Sequence, residues 1–293
     1  VFSVSPTVEG LADAVVAAGV RRVEGDLLAD ETLFDSSRWQ RGWLSSYQRG
    51  DVDVGNISAM TVNMGCANIV CSAVAQSPAV TAAKLLREAL RARDVELTGT
   101  VRTGAAAEDA VDIAVVRSPP LREIVSWTNR WSVNYPPELL LKGLGAAFGG
   151  AGTTRAGAAV VRTTLAGLKI GVGGLVMEDG SGLSVLNRVA PATLAQVLRL
   201  MVDMPGPDGA ALRDSMPVAG RPGTLLRRMR TAPTLGNLRG KTGLIRGVRG
   251  LAGWVRARDG SIVVYVSLFN RVRSPTRVTA VLDGFGRALA SLP

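Results

Sequence analysis

The chain has 293 residues, no histidine, two cysteines and a formal net charge of +10. Without imidazole it has no Ser-His-Asp or Cys-His apparatus and no His-ligated zinc or haem, and two cysteines cannot complete a four-thiolate metal site. The length suits one large domain or two ordinary ones, and no stretch approaches the twenty or so uninterrupted apolar residues that a transmembrane helix needs.

The first part of the chain predicts two helices, two short strand-like runs and one long loop. The helices begin after turn-forming residues and repeat apolar positions at helical spacing. The loop lacks periodicity although it contains several aromatic residues. The predicted helices span 11–18 and 79–93, the strand-like runs span 23–29 and 95–101, and the loop spans 35–56. An Ala-rich polar stretch at 103–112 indicates a boundary or a tight turn.

After Ser118-Pro119-Pro120 the sequence becomes mainly helical. Proline is well accepted in the first helical turn, so Pro137 is expected to begin a helix. The remaining elements are helices from residue 121 to about 131, over 139–144, up to about 168 and over 191–201, a glycine-rich turn at 149–157, and a brief strand at 175–177 before a turn at 179–182.

The C-terminal part predicts a hairpin followed by a helix. Two apolar runs, 251–258 and 261–269, flank Asp259-Gly260, which is a strong hairpin signal. A final helix begins near Thr276, and its expected inward residues are Val278, Val281, Leu282, Phe285 and Leu289. Together these elements predict an α/β fold with an antiparallel sheet flanked by helices.

The cysteines and the first residue bear on the compartment. Cys66 and Cys71 are close enough for a small-loop disulfide in an oxidising compartment, and two buried thiols are the equal alternative. The chain starts at Val1 without an initiator methionine or a signal segment, so we expect a mature or truncated product.

The positive charge is scattered along the chain. Only four of the 34 basic residues are lysines, and the arginines form no long basic run with interleaved aromatic residues. This pattern does not favour nucleic-acid binding. An anionic polymer or a substrate that carries a carboxylate suits the charge equally well.

Lys241-Thr242-Gly243 lies just before the predicted hairpin, and therefore on or beside the first strand of the sheet. An ammonium group, a hydroxyl and a residue without Cβ, in line on a strand, suit recognition of a substrate carboxylate with close backbone approach. The alternative is an ordinary strand with a surface lysine and threonine.

Ser132 and Asn134 lie two residues apart between two predicted helices. Their hydroxyl and amide could point into one cleft, where the hydroxyl would pass protons and the amide would hold a substrate carbonyl. A helix cap is the competing interpretation, because both residue types are preferred there.

Ser-x-Asn followed about a hundred residues later by Lys-Thr-Gly is the order found in penicillin-recognising serine enzymes. With the surrounding residues, the chain resembles the class C low-molecular-mass penicillin-binding proteins, the D-alanyl-D-alanine carboxypeptidase/endopeptidase family. The residues that carry the resemblance lie in the segments 19–26, 118–121, 131–134, 138–142, 177–184, 187–189, 216–220, 223–225, 240–243 and 247–253.

The resemblance implies a transpeptidase-like fold, with an inserted α+β domain over residues 1–117 and the C-terminal part of the penicillin-binding domain over 118–293. It also implies acyl transfer from peptidoglycan stem peptides that end in D-Ala-D-Ala, inhibition by β-lactams, no cofactor or metal, and export to the periplasm or cell wall.

The resemblance further implies roles for single residues. Lys241 would set the electrostatics of the site, and Thr242 and Gly243 would receive the terminal carboxylate of the stem peptide. Ser132 would relay a proton to the leaving amine, Asn134 would hold the substrate amide, and the N–H of Leu244 would be an oxyanion donor. The turn at 179–184 is expected to be structural.

Three departures from the family pattern concern ligand affinity and one concerns mechanism. Val133 stands where the family commonly has Asp or Asn, Tyr135-Pro136-Pro137 replaces less rigid residues, and Leu244 stands where Thr or Ser is common. The family nucleophile is a serine three residues before a lysine, and none of the four lysines has a serine at that position. Either the nucleophile belongs to a longer enzyme, or the chain is a non-catalytic relative that binds peptidoglycan or serves as a scaffold.

Overall fold

The computed structural model describes residues 6–49 and 52–293. Within these ranges the chain forms α-helices, seven short or medium strands and two 3-10 turns. The helices are α1 Val8–Ala17, α2 Pro78–Arg91, α3 Leu121–Trp131, α4 Tyr135–Phe148, α5 Thr154–Gly167, α6 Pro191–Asp203, α7 Gly206–Ser215 and α8 Pro275–Ala290. The strands are β1 Arg22–Val23, β2 Leu27–Ala29, β3 Glu96–Leu97, β4 Val101–Thr103, β5 Arg239–Ile245, β6 Val248–Arg256 and β7 Ile262–Asn270.

The chain divides into two compact units that interleave along the sequence. The first unit comprises Val1–Pro120, Asn134–Val160 and Glu178–Val185, and the second comprises Leu121–Val133, Val161–Met177 and Leu186–Pro293. The division into an inserted domain over residues 1–117 and a penicillin-binding domain over 118–293 stays a prediction. None of the helices in the described ranges is long and apolar enough to cross a membrane.

The first unit contains α1, α2 and two small parallel strand pairs, β1 with β3 and β2 with β4. Both helices are confirmed. The run predicted over 23–29 forms two strands, β1 and β2, and the strand predicted over 95–101 is likewise wrong as a single element. It is split into β3 and β4 because the backbone at Gly99 approaches the turn at Gly25 very closely. A Cβ at Gly99 would lie 2.0 Å from the carbonyl oxygen of Gly25.

The long loop is confirmed as irregular in its described residues, apart from a 3-10 turn at Ser45–Gln48. Farther along, Cys66 and Cys71 form a disulfide with their Cα atoms 5.1 Å apart. This bond decides between the two alternatives that the sequence left open.

Helix α4 begins at Tyr135, two residues before the predicted start, with prolines in its first turn. It carries two charged side chains, Glu138 and Lys142, that are fully buried within the first unit. The Lys142 amine is compensated by the carboxylate of Asp35 at 2.5 Å and the carbonyl of Ser37 at 2.8 Å. Burial without such partners would be very costly.

The second unit is built on the antiparallel sheet β5-β6-β7. Alternate residues of β6 face opposite sides: Leu251 and Val255 pack in the core cluster that contains Leu282 of α8, whereas Trp254 packs in the cluster that contains Leu198 of α6. The sheet therefore has a helix against each face, which confirms the predicted fold class.

The structure departs from the sequence predictions at three places in the second unit. The brief strand at 175–177 is only a single bridge between Val176 and Arg188, and the sequence did not predict α7. On α8, Val281 and Phe285 are 57% and 42% exposed rather than inward. The helix buries a narrower stripe of residues four apart, formed by Leu282, Gly286 and Ala290.

Candidate active site

Strand β5 offers an open backbone edge. Its inner edge pairs with β6, while the N–H of Gly240 donates outward to the carbonyl of Pro217 at 2.9 Å. Backbone groups of successive strand residues alternate between the two edges. The N–H and C=O groups of Thr242 and Leu244 therefore lie on the same outer edge as those of Gly240.

Ser132 lies directly after α3 in a left-handed backbone conformation, with φ at +57°. The N–H of Val133 donates back to the carbonyl of Thr128 at 3.1 Å, which is a helix-ending arrangement usually formed with glycine or asparagine at the left-handed position. A serine there carries backbone strain of about 1 kcal/mol. Strain of this kind is common at functional sites.

The structure brings Lys241 and Ser132 into direct contact. The Lys241 amine donates to the Ser132 hydroxyl at 2.6 Å and to the carbonyl of Thr242 at 3.0 Å. Burial lowers the pKa of Lys241 from 10.5 to about 8. In the part of the chain that the structure describes, no carboxylate lies within ion-pair distance of this amine.

The end of α3 is fastened to its neighbours just before Ser132. The side-chain amide of Asn129 donates to the Ser215 hydroxyl at 2.8 Å, and that hydroxyl donates to the carbonyl of Leu212 at 2.6 Å. The carbonyl of Arg130 accepts from the N–H of Thr224 at 2.9 Å. Sequence reasoning missed these supporting residues, because nothing in the local pattern links α3 to α7 or to Thr224.

The other predicted residues of the Lys-Thr-Gly segment continue along β5. Gly243 is exposed, and Leu244 is 70% exposed. A Cβ built on Gly243 would have only ordinary contacts, the nearest 3.7 Å away at Gly250. Packing within the sheet therefore does not require glycine at position 243. Close approach of a ligand to the backbone is a reason that would account for it.

Asn134 belongs to the first unit. It occupies the N-cap position of α4, but its side chain does not cap the helix. The amide instead donates to the carbonyl of Asp53 at 3.0 Å. The helix-cap interpretation of this side chain is therefore wrong, and its role toward a substrate stays a prediction.

The turn at 179–184 is organised by two buried carboxyl groups. Asp179 accepts from the indole N–H of Trp43 at 2.8 Å and from the N–H of Gly182 at 2.9 Å. Glu138 accepts from the N–H groups of Gly180 and Ser181 at 3.0 and 2.7 Å. These bonds hold the turn in one shape, as the structural role predicted for it requires.

The strain at Ser132 makes a testable prediction. Ser132→Gly is expected to raise the free energy of unfolding by about 1 kcal/mol, because glycine adopts a positive φ without a Cβ clash. Ser132→Ala keeps the Cβ and should gain nothing. Urea unfolding of the two variants tests this, and equal stabilities would contradict a strained backbone at this residue.

The whole chain is similar to known carboxypeptidases. The model of the D-Ala-D-Ala carboxypeptidase 3 (S13) family matches residues 62–288. A D-alanyl-D-alanine carboxypeptidase of Actinomadura sp. (strain R39) is 30% identical over 96% of this chain and 66% of its own length. The carboxypeptidase DacB of Mycolicibacterium smegmatis is 30% identical over 97% of this chain and 61% of its own length. The chain thus spans about two thirds of the length of these relatives.

The fold has a counterpart among solved structures. Penicillin binding protein 4 (dacB) from Haemophilus influenzae superimposes with a TM-score of 0.85 at 20% identity, over 97% of this chain and 79% of that one. A second structure of that protein, complexed with a β-lactam, gives a TM-score of 0.74 at 21% identity. With a matching family model and these relatives, the chain belongs to the D-Ala-D-Ala carboxypeptidase 3 (S13) family.

Proposed function

We propose that this chain is part of an exported serine-type carboxypeptidase or endopeptidase that acts on peptidoglycan stem peptides ending in D-Ala-D-Ala. The observation that carries the proposal is the 2.6 Å contact between Lys241 and Ser132 beside the open edge of β5. Membership of a carboxypeptidase family and the disulfide, which suits an oxidising compartment, support it.

The proposed roles follow from the chemistry of each group. The Lys241 ammonium and the Thr242 hydroxyl attract the terminal carboxylate of the stem peptide. Ser132 accepts the proton that the hydroxyl of the nucleophilic serine releases and passes it to the amine of the leaving D-alanine. Lys241 keeps this relay polarised. The edge N–H of Leu244 stabilises the oxyanion of the tetrahedral intermediate. For Asn134, the proposed role toward the substrate amide rests on the Ser-x-Asn pattern of the sequence.

An acyl-enzyme requires a nucleophile that a Ser-x-x-Lys segment provides in this class of enzyme, and these 293 residues contain no such segment. We infer that this chain by itself does not hydrolyse stem peptides. The absence of the segment also favours one second candidate, a non-catalytic relative that binds peptidoglycan.

The test is acylation of the full-length gene product by benzylpenicillin. Opening of the β-lactam ring by a serine hydroxyl adds the whole penicillin to the protein, so intact mass spectrometry should show one adduct. Lys241→Met should reduce the rate of adduct formation at least 100-fold, whereas Lys84→Met, at an exposed lysine, should leave it unchanged. Absence of any adduct, with binding to peptidoglycan sacculi but no release of D-alanine, would select the non-catalytic candidate.

A further inference from the structure

Ser132 and Lys241 form a hydroxyl–amine pair that is complete within the second unit. The oxygen and the nitrogen are 2.6 Å apart although the two residues are 109 positions apart in the sequence. A hydroxyl in contact with an amine is the arrangement that activates serine nucleophiles when the amine can take the proton. The pair therefore has a possible chemistry apart from relaying protons for another serine.

The backbone of Ser132 presents its side chain in a suitable way. Ser132 lies just beyond the end of α3 with a left-handed φ. Its hydroxyl therefore takes no part in the hydrogen bonds of the helix. The residue is only partly buried. Within the described residues, the Lys241 amine is the hydrogen-bond partner shown for this hydroxyl.

Burial of Lys241 brings loss of its proton into the mildly basic range, because its pKa is lowered from 10.5 to about 8. The ionisable groups on adjoining elements are Arg122, Glu123 and Arg130 of α3, Asp208, Arg213 and Asp214 of α7, Arg239 and Arg246 of β5 with its turn, and Arg249 and Arg256 of β6. Among the acidic residues, Asp214 lies 3.6 Å from the guanidinium of Arg239. Because burial lowers its pKa to about 8, the lysine can lose its proton in mildly basic solution.

The open edge of β5 supplies a place for the oxyanion that acyl transfer creates. The N–H groups of Thr242 and Leu244 point to this edge, because they alternate in step with the N–H of Gly240 that donates outward to Pro217. The Lys241 amine already contacts the carbonyl of Thr242 on the same edge. Nucleophile, base and backbone donors therefore belong to one small region of the second unit.

We propose that Ser132, with Lys241 as its general base, is itself an acceptor of acyl groups from activated esters. The serine Oγ forms a bond to the acyl carbon while its proton passes to the neutral lysine amine. The ester bond to the leaving phenol or alcohol then breaks, and the lysine returns the proton to the leaving oxygen. The products are an O-acyl serine and the free alcohol, so no oxidant or cofactor is needed.

An alkyl fluorophosphonate tests the pair on the 293-residue chain, because it forms a stable bond with activated serines and reacts poorly with amines. The Oγ–P bond replaces the P–F bond, fluoride leaves and the lysine takes the proton. We expect one adduct, mapped to Ser132 by peptide mass spectrometry, that forms roughly 25-fold faster at pH 8.5 than at pH 6.5, in step with the neutral fraction of an amine with a pKa of about 8. Lys241→Met should slow its formation at least tenfold.

Matched variants separate this chemistry from unfolding and from background labelling. Ser132→Gly retains the backbone that glycine favours and should show no adduct at this position, whereas Ser126→Ala, on the preceding helix α3, should label normally. Lys84→Met should also label normally. Labelling at other residues only, no labelling, or a rate that Lys241→Met and pH leave unchanged would each overturn the proposal.

The outcome does not depend on the proposed peptidase function. Penicillin acylation of the full-length gene product reports on the peptidase proposal, and phosphonylation of the 293-residue chain reports on the Ser132–Lys241 pair. Either experiment can fail while the other succeeds.

Discussion

Glu138→Gln is expected to raise the free energy of unfolding by about 3 kcal/mol at pH 8.5 and to change it little at pH 4. Burial, with a contribution from the Asp179 carboxylate, raises the pKa of Glu138 from 4.5 to about 7. The folded protein therefore binds this proton more tightly than the unfolded chain does. Its contribution to stability is complete below about pH 4.5 and is lost as the pH rises through about 7.

The structure explains why the ionised form is unfavourable. Glu138 is fully buried, and although Oε1 accepts two backbone N–H groups, Oε2 has no partner among the described residues. Glutamine keeps an oxygen for the N–H groups of Gly180 and Ser181 and has no proton to lose. The substitution therefore removes the penalty at high pH without removing the bonds that hold the turn.

Urea unfolding at several pH values measures this effect. The difference between the wild type and Glu138→Gln should grow across the window from about pH 4.5 to 7 and then stay constant. Glu88→Gln, at an exposed position on α2, is the matched control and should follow the wild type. A constant difference between Glu138→Gln and the wild type at every pH would contradict the raised pKa.

Lys241→Met is expected to stabilise the second unit by about 2 kcal/mol at pH 7, with the gain disappearing above about pH 10.5. Burial lowers the pKa of this lysine from 10.5 to about 8, so the unfolded chain binds the proton more tightly than the folded protein does. Wild-type stability therefore rises with pH between about 8 and 10.5. Methionine carries no charge to desolvate and lacks this rise.

The scarcity of lysine makes the titration directly observable. The chain has four lysines, so a spectrum of protein labelled with ¹³C at the lysine ε-carbon contains four side-chain signals. The signal missing from the Lys241→Met spectrum identifies this residue, and its titration midpoint should be near pH 8. A midpoint above pH 10 would contradict both the lowered pKa of this amine and its proposed role as a general base.

The effects expected for substitutions at Ser132 and Lys241 have one physical origin. A serine with a left-handed backbone and an amine that has no carboxylate partner among the described residues both lower stability, and the structure places them in contact. Strain and desolvation concentrated at one place are typical of sites selected for function rather than for stability. The same features make replacement of either residue informative, because stability and activity are expected to change in opposite directions.

Local sequence patterns determined most elements of this fold. The spacing of apolar residues predicted α1, α2 and α6, and Asp259-Gly260 between two apolar runs predicted the β6–β7 hairpin, because helix and strand periodicities are properties of a short stretch. Where the prediction was wrong, contacts between residues far apart in the sequence determined which secondary structure forms. Close approach at Gly99 splits one strand, and α7 shows little apolar periodicity of its own.

For the site, the sequence by itself determined the residue types and their order: Ser132, Asn134 and Lys241-Thr242-Gly243, with no Ser-x-x-Lys among the 293 residues. Only the tertiary structure decided that Ser132 and Lys241 touch, that the amine loses solvent, and that Asn129 and Ser215 fasten the end of α3. A distance between residues 109 positions apart and the pKa that burial gives to an amine both depend on packing. Neither is encoded in any local stretch of the chain.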